Sequence, residues 1–164
     1  MSVKKKDRHI SKGEALGKAR ELVSYTLILT RPRQFDENGK QIQKPGILGE
    51  GQPLQVFGID IVTCAKRIHA ACYEAYQINL KNEQTLIARN EYHLKAIEYC
   101  KSILRMIDFC INQYAKNNKK KRNSFEHLAH LTKIQIDCLQ DRINRDKLIF
   151  EHNYKAPKII RRGR

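Results

Sequence analysis

The sequence predicts an all-α protein, an antiparallel four-helix bundle with basic tails and a possible short β-hairpin insertion between helices 1 and 2. Three observations predict it. Residues 82–115 contain neither Gly nor Pro, and their apolar side chains recur at helical spacing. Three further segments repeat that pattern, separated by Pro, Gly and polar clusters. Trp is absent and aromatic residues make up 7% of the chain, which leaves Leu, Ile, Ala and Cys to build the core.

The first helix is expected from about residue 12 to residue 30. Ser11 is the candidate N-cap and Glu14, three residues on, the capping-box acid. Leu16, Ala19, Leu22, Val23 and Leu27 form its inner stripe, and Arg31-Pro32 ends it. Residues 33–53 differ in texture. Asn38-Gly39, flanked by Phe35 and Ile42, is the pair favoured in tight hairpin turns. The glycines that follow lack the Gly-Lys-Ser/Thr of a phosphate loop, so they read as backbone freedom in an insertion.

The second helix is expected over residues 54–80, with Leu54, Phe57, Ile61, Cys64, Ala65, Ile68, Ala71, Cys72, Ala75 and Ile78 inward. The short junction Lys81-Asn82 makes the next helix its antiparallel neighbour, and Asn82 is the candidate cap. At about 1.5 Å per residue, a helix over 82–115 runs about 50 Å and needs partners along its length. Its stripe reads Leu94, Ile97, Cys100, Leu104, Ile107, Ile111 and Tyr114, widened by Ile103 and Cys110. Arg89, Glu91, Lys95, Glu98, Lys101, Arg105 and Asp108 fall on the solvated face. Ser124 is the candidate cap of a fourth helix over 125–150, with Phe125, Leu128, Leu131, Ile134, Leu139 and Ile143 inward. Asp137, Asp141, Arg142, Arg145, Asp146 and Lys147 are expected on its outside as intrahelical pairs.

The chain thus divides into a basic arm (1–12), the bundle (13–150, with the insertion 33–53) and a second basic arm (151–164). No run approaches the ~18 apolar residues of a membrane span. Residues 1–6 lack the apolar core of a signal peptide. Five cysteines, all in predicted helices and none in a Cys-x-x-Cys or zinc-finger pattern, fit a reducing compartment. A cytoplasmic protein without cofactor or metal is expected.

The net charge of +15 is the strongest global signal. Residues 1–12 carry five basic groups and one acid, residues 116–122 five and none, and residues 155–164 five and none, so these three segments hold +14 of it. Charge concentrated in this way points to a polyanion. The candidate nucleic-acid-binding residues are Lys4, Lys5, Lys6, Lys116, Lys119, Lys120, Lys121, Arg122, Lys155, Lys158, Arg161, Arg162 and Arg164. Tyr154, beside the second arm, is a candidate base-stacking residue, whereas Tyr92, Tyr99 and Tyr114 read as packing. Catalytic patterns are poor. His127 and His130 stand one turn apart, but no inward carboxylates complete a metal-binding bundle, and no nucleophile has a base beside it. No enzyme is expected. The alternative to nucleic-acid binding is a protein-interaction scaffold whose tails bind acidic partners.

The run Ala88-Arg89-Asn90-Glu91-Tyr92-His93-Leu94-Lys95-Ala96 resembles the Arg-Asn-Glu-Tyr-Gln-x-x-Ala run of a bacterial four-helix-bundle family, that of the accessory variability determinant of diversity-generating retroelements. Residues 59–79, with Cys72-Tyr73, are similar to that family's second helix, and the likeness covers about residues 13–150. The resemblance implies a barrel-shaped homopentamer that binds a reverse transcriptase and its template RNA and supports mutagenic cDNA synthesis. Two departures stand out. The insertion 33–53 replaces the family's Phe-Pro-Lys segment, and Gln140-Asp141-Arg142 stands where a Gly-Trp pair is common. Relatives encoded in ribosomal RNA intervening sequences share the fold without a retroelement.

Overall fold

The computed structural model describes residues 13–49, 51 and 54–155, with the side chains of residues 154 and 155 excluded. In chain order they form α1 (Glu14–Thr30), β1 (Gln34–Phe35), β2 (Gln41–Gln43), α2 (Leu54–Gln77), α3 (Glu83–Cys110) and α4 (Lys119–Phe150). One π-helical turn, Ile111–Ala115, extends α3, and another, Glu151–Lys155, extends α4. The helices form a bundle in which α1 packs on α2 and α4, and α3 packs on α2 and α4. No described helix is long and apolar enough to cross a membrane.

All four helices bury a seam whose steps alternate between three and four residues, the spacing of ridges-into-grooves packing at a shallow angle. In α1 the seam is Ala15, Ala19, Leu22, Thr26 and Leu29, and in α2 it is Leu54, Gly58, Ile61, Ala65, Ile68, Cys72 and Ala75. In α3 it is Arg89, His93, Ala96, Cys100, Ile103, Ile107 and Cys110. In α4 it is Phe125, Leu128, Thr132, Gln135, Leu139, Arg142 and Asp146. This corrects the expected stripes. Leu94 is 54% exposed, while Arg89, Arg142 and Asp146, expected on outer faces, are buried. Two polar members of the seam donate hydrogen bonds inside it. Thr132 Oγ1 donates to the Leu128 carbonyl (2.7 Å), and Gln135 Nε2 donates to the Ala15 carbonyl of α1 (3.1 Å).

Several element ends also shift. Helix α1 opens at Glu14 with Gly13 in the cap position, and Ser11 lies outside the described residues. Helix α2 stops at Gln77, three residues early. At α3 the expected cap is present and reciprocal: Thr85 N donates to Asn82 Oδ1 (2.9 Å) and Asn82 N to Thr85 Oγ1 (3.1 Å). The largest shift is in α4. Asn118, not Ser124, is its cap, with Oδ1 accepting from Lys121 N at 3.0 Å. Residues 119–122 are therefore the first turn of a helix and not a connection, because Lys and Arg are good helix formers once a cap precedes them.

The hairpin forms, but its turn differs from the two-residue kind. Asp36 Oδ1 accepts from Asn38 N (2.9 Å) and Lys40 N (2.8 Å), and Gly39 alone takes the left-handed conformation, φ 77°. The segment after β2 is docked, which corrects the reading of its glycines as freedom. Gly46 N donates to the Arg31 carbonyl and Leu48 N to the Leu29 carbonyl, both at 2.9 Å, so the insertion satisfies carbonyls that the end of α1 leaves open. Leu48, 1% exposed, anchors it in the core. A Cβ at position 46 would stand 2.1 Å from the Leu29 carbonyl oxygen, so only glycine permits this approach.

Candidate nucleic-acid interface

Docking the insertion on the end of α1 carries its basic side chains to the start of α4. Arg31, Arg33 and Lys44 on one side and Lys120 and Lys121 on the other line a groove of about 500 Å³. Its other described lining groups are Gln41, Asn118 and the apolar Ile28, Leu29, Pro45, Gly46 and Ile47, and among the described residues no carboxylate lines it. Five cations from two segments that are distant in sequence, 31–44 and 120–121, thus line one depression.

The first turn of α4 is electrostatically unfavourable as it stands. A helix N-terminus carries the positive end of the macrodipole and prefers Asp or Glu. This one holds Lys119, Lys120 and Lys121 and no acid. Crowded like charges at a positive pole are costly until an anion arrives, and the N–H groups of Lys119 and Lys120, which the Asn118 cap does not take, are suited to receive one.

The candidate residues are placed as follows. Lys120 and Lys121 line the groove. Lys119 is exposed in the same turn, and Lys116 is exposed just before it. Arg122 points to another partner, its Nε donating to Glu126 Oε1 at 2.8 Å. Lys155 closes the last π-turn. Lys4, Lys5, Lys6, Lys158, Arg161, Arg162 and Arg164 lie outside the described residues. Sequence reasoning missed Arg31, Arg33 and Lys44. Arg31-Pro32-Arg33 read as a helix stop and Lys44 as loop, and only their proximity to residues 120–121 gives them a common role.

At the opposite end of α4, about 40 Å away along its axis, lies a buried polar cluster. Asp146, fully buried, accepts at Oδ1 from Arg89 Nη1 (2.9 Å) and from Arg142 Nη2. Arg89 also donates from Nε to the Ala75 carbonyl (3.2 Å) and from Nη2 to the Ile78 carbonyl, capping the end of α2. One guanidinium thereby ties α2, α3 and α4 together. His93 lies beside it, its pKa pushed down to about 4 by burial, with Asp146 opposing and Arg89 and Arg142 adding to the shift. Arg89 of the Arg-Asn-Glu-Tyr run thus belongs to this cluster and holds helices together.

Among the described residues no group of three His, Cys, Asp or Glu is placed to hold a metal. All five thiols are free, and burial pushes Cys72 and Cys100 up to about 12, which keeps them protonated and poorly nucleophilic. His127 packs edge-on against Tyr25, ring centroids 4.7 Å apart. Tyr92, Tyr99 and Tyr114 have intramolecular contacts, with Lys95, with Arg67, and with Phe57 and Phe109 respectively. Compared with protein-family models, curated proteins and solved structures, the chain finds no match in any of the three.

Proposed function

We propose that this protein is a non-enzymatic RNA-binding accessory subunit of a diversity-generating retroelement reverse transcriptase. On this reading it is a cytoplasmic, antiparallel four-helix bundle that assembles as a homo-oligomer, a pentamer by resemblance, and supports mutagenic cDNA synthesis. The observation that carries RNA binding is the acid-free first turn of α4, where cations oppose the macrodipole beside a groove lined by three more. The reverse transcriptase and its template RNA enter through the resemblance of residues 88–96. Exposed Val56, Ile59 and Tyr73 along α2 supply apolar surface for contact between copies.

The double substitution Lys119→Glu/Lys120→Glu tests the RNA reading through two opposed effects. Complementing the helix pole stabilises the fold by about 1 kcal/mol, while removing phosphate contacts weakens RNA binding and flattens its dependence on salt. Denaturant titration reads the first and filter binding across a salt series the second. RNA affinity indifferent to both salt and the substitution would sink the reading. Light scattering at micromolar concentration tests assembly separately. The expected particle is five copies of the 19.2 kDa chain, and a monomer removes the oligomer without touching RNA binding.

A further inference from the structure

We infer that the groove between the insertion and the start of α4 is a binding site for an unpaired RNA segment, with phosphates on its two basic walls and a base on its apolar floor. This rests on the RNA-binding reading and makes it specific. A bare charge patch would serve any phosphate backbone. Here the cations share the groove with Ile28, Pro45 and Ile47, of which Ile28 is 52% exposed, while Leu29 beneath them is core at 5%. A closed duplex keeps its bases stacked inside and presents phosphates and sugars, so it has nothing to place on an apolar floor. An unpaired strand offers both charge and a free base face.

The hairpin adds an aromatic surface. Phe35 lies opposite Gln41 beside a register shift at Gln34, and Gln41 lines the groove although Phe35 itself stands outside its lining. Phe35 is 54% exposed, and no described aromatic ring packs on it. A large aromatic side chain left in water on a two-stranded ribbon contributes little to folding, but it can stack a base. The volume of about 500 Å³ falls within the range of sites that hold small-molecule-sized groups. At the α4 wall, the N–H groups of Lys119 and Lys120, left by the Asn118 cap, reinforce the Lys120 and Lys121 side chains toward a phosphate. The insertion is therefore half of the site, and its docking through Gly46 and Leu48 sets the width of the groove.

The test is fluorescence anisotropy on the full chain, using labelled oligo(U) and an RNA duplex of the same length at one salt concentration. The expected result is a preference of about tenfold or more for oligo(U). Arg31→Ala/Lys44→Ala, both exposed and on the wall that faces α4, should reduce the single-strand salt slope by about 1.4, the value for two lost phosphate contacts. Phe35→Ala should weaken oligo(U) binding about tenfold and leave the salt slope unchanged. Circular dichroism of each variant confirms that the helices are intact.

Equal affinity for duplex and oligo(U) overturns the inference. So does wild-type oligo(U) binding by the insertion variants while Lys119→Glu/Lys120→Glu still binds weakly, an outcome that leaves RNA binding itself standing. Absence of binding to either RNA removes both readings. Displacement of oligo(U) by polyglutamate at equal charge concentration overturns it in favour of an acidic peptide.

Discussion

Arg89→Met is expected to destabilise the protein by about 3–5 kcal/mol, the cost of removing one partner from a buried ion pair. The loss has three sources. Asp146, fully buried, keeps only Arg142 as an ion-pair partner. The carbonyls of Ala75 and Ile78 lose the donor that caps α2. The methionine fills the space but satisfies none of these groups. Arg89→Lys should recover little, because one ammonium cannot reproduce a planar fork that reaches a carboxylate and two carbonyls at once. Urea denaturation of the three proteins is the measurement. A loss below about 1 kcal/mol for Arg89→Met would show that the cluster is solvated in the folded state and that the clamp is not structural.

Acidification is expected to cost a further ~3 kcal/mol through His93 alone. The imidazole is 4% exposed, and its Nδ1 has no hydrogen-bond partner among the described residues. Protonation would bury a new charge beside Arg89 and Arg142, with only Asp146 to offset it. The folded protein therefore accepts the proton near pH 4, whereas the unfolded chain accepts it near 6.5. Between those values the unfolded state binds more protons. The stabilisation is fully present above pH 6.5, falls as the pH drops, and levels off below about 4. In His93→Gln this component of the pH dependence should be absent, so the stability difference between variant and wild type should shrink steadily from pH 6.5 to 4. Parallel stability curves for the two proteins would refute the assignment.

Both effects depend on residues whose placement a polarity-based reading inverts. Arg89, Arg142 and Asp146 look like solvated charges in the sequence, since charged side chains are seldom buried. They are buried because Asp146 accepts from both arginines and Arg89 also caps the open end of α2. Leu94 looks like core and is exposed, because the three–four seam through His93 and Ala96 takes the packed positions on either side of it. Counting the seam by spacing, and ignoring polarity, finds Arg89 and His93 in register with Cys100, Ile103 and Ile107. Choosing the most apolar residues does not.

The sequence by itself determined four helical segments, the hairpin between the first two, the cap at Asn82 and the clustering of charge. These follow from local causes: periodicity, breakers, short-range side-chain bonds and composition. Only the tertiary structure decided which face of α3 and α4 is buried, because a seam position is chosen by what the neighbouring helices can satisfy. It alone brought Arg31, Arg33 and Lys44 to Lys120 and Lys121, because electrostatic potential adds up over distance in space and takes no account of distance along the chain.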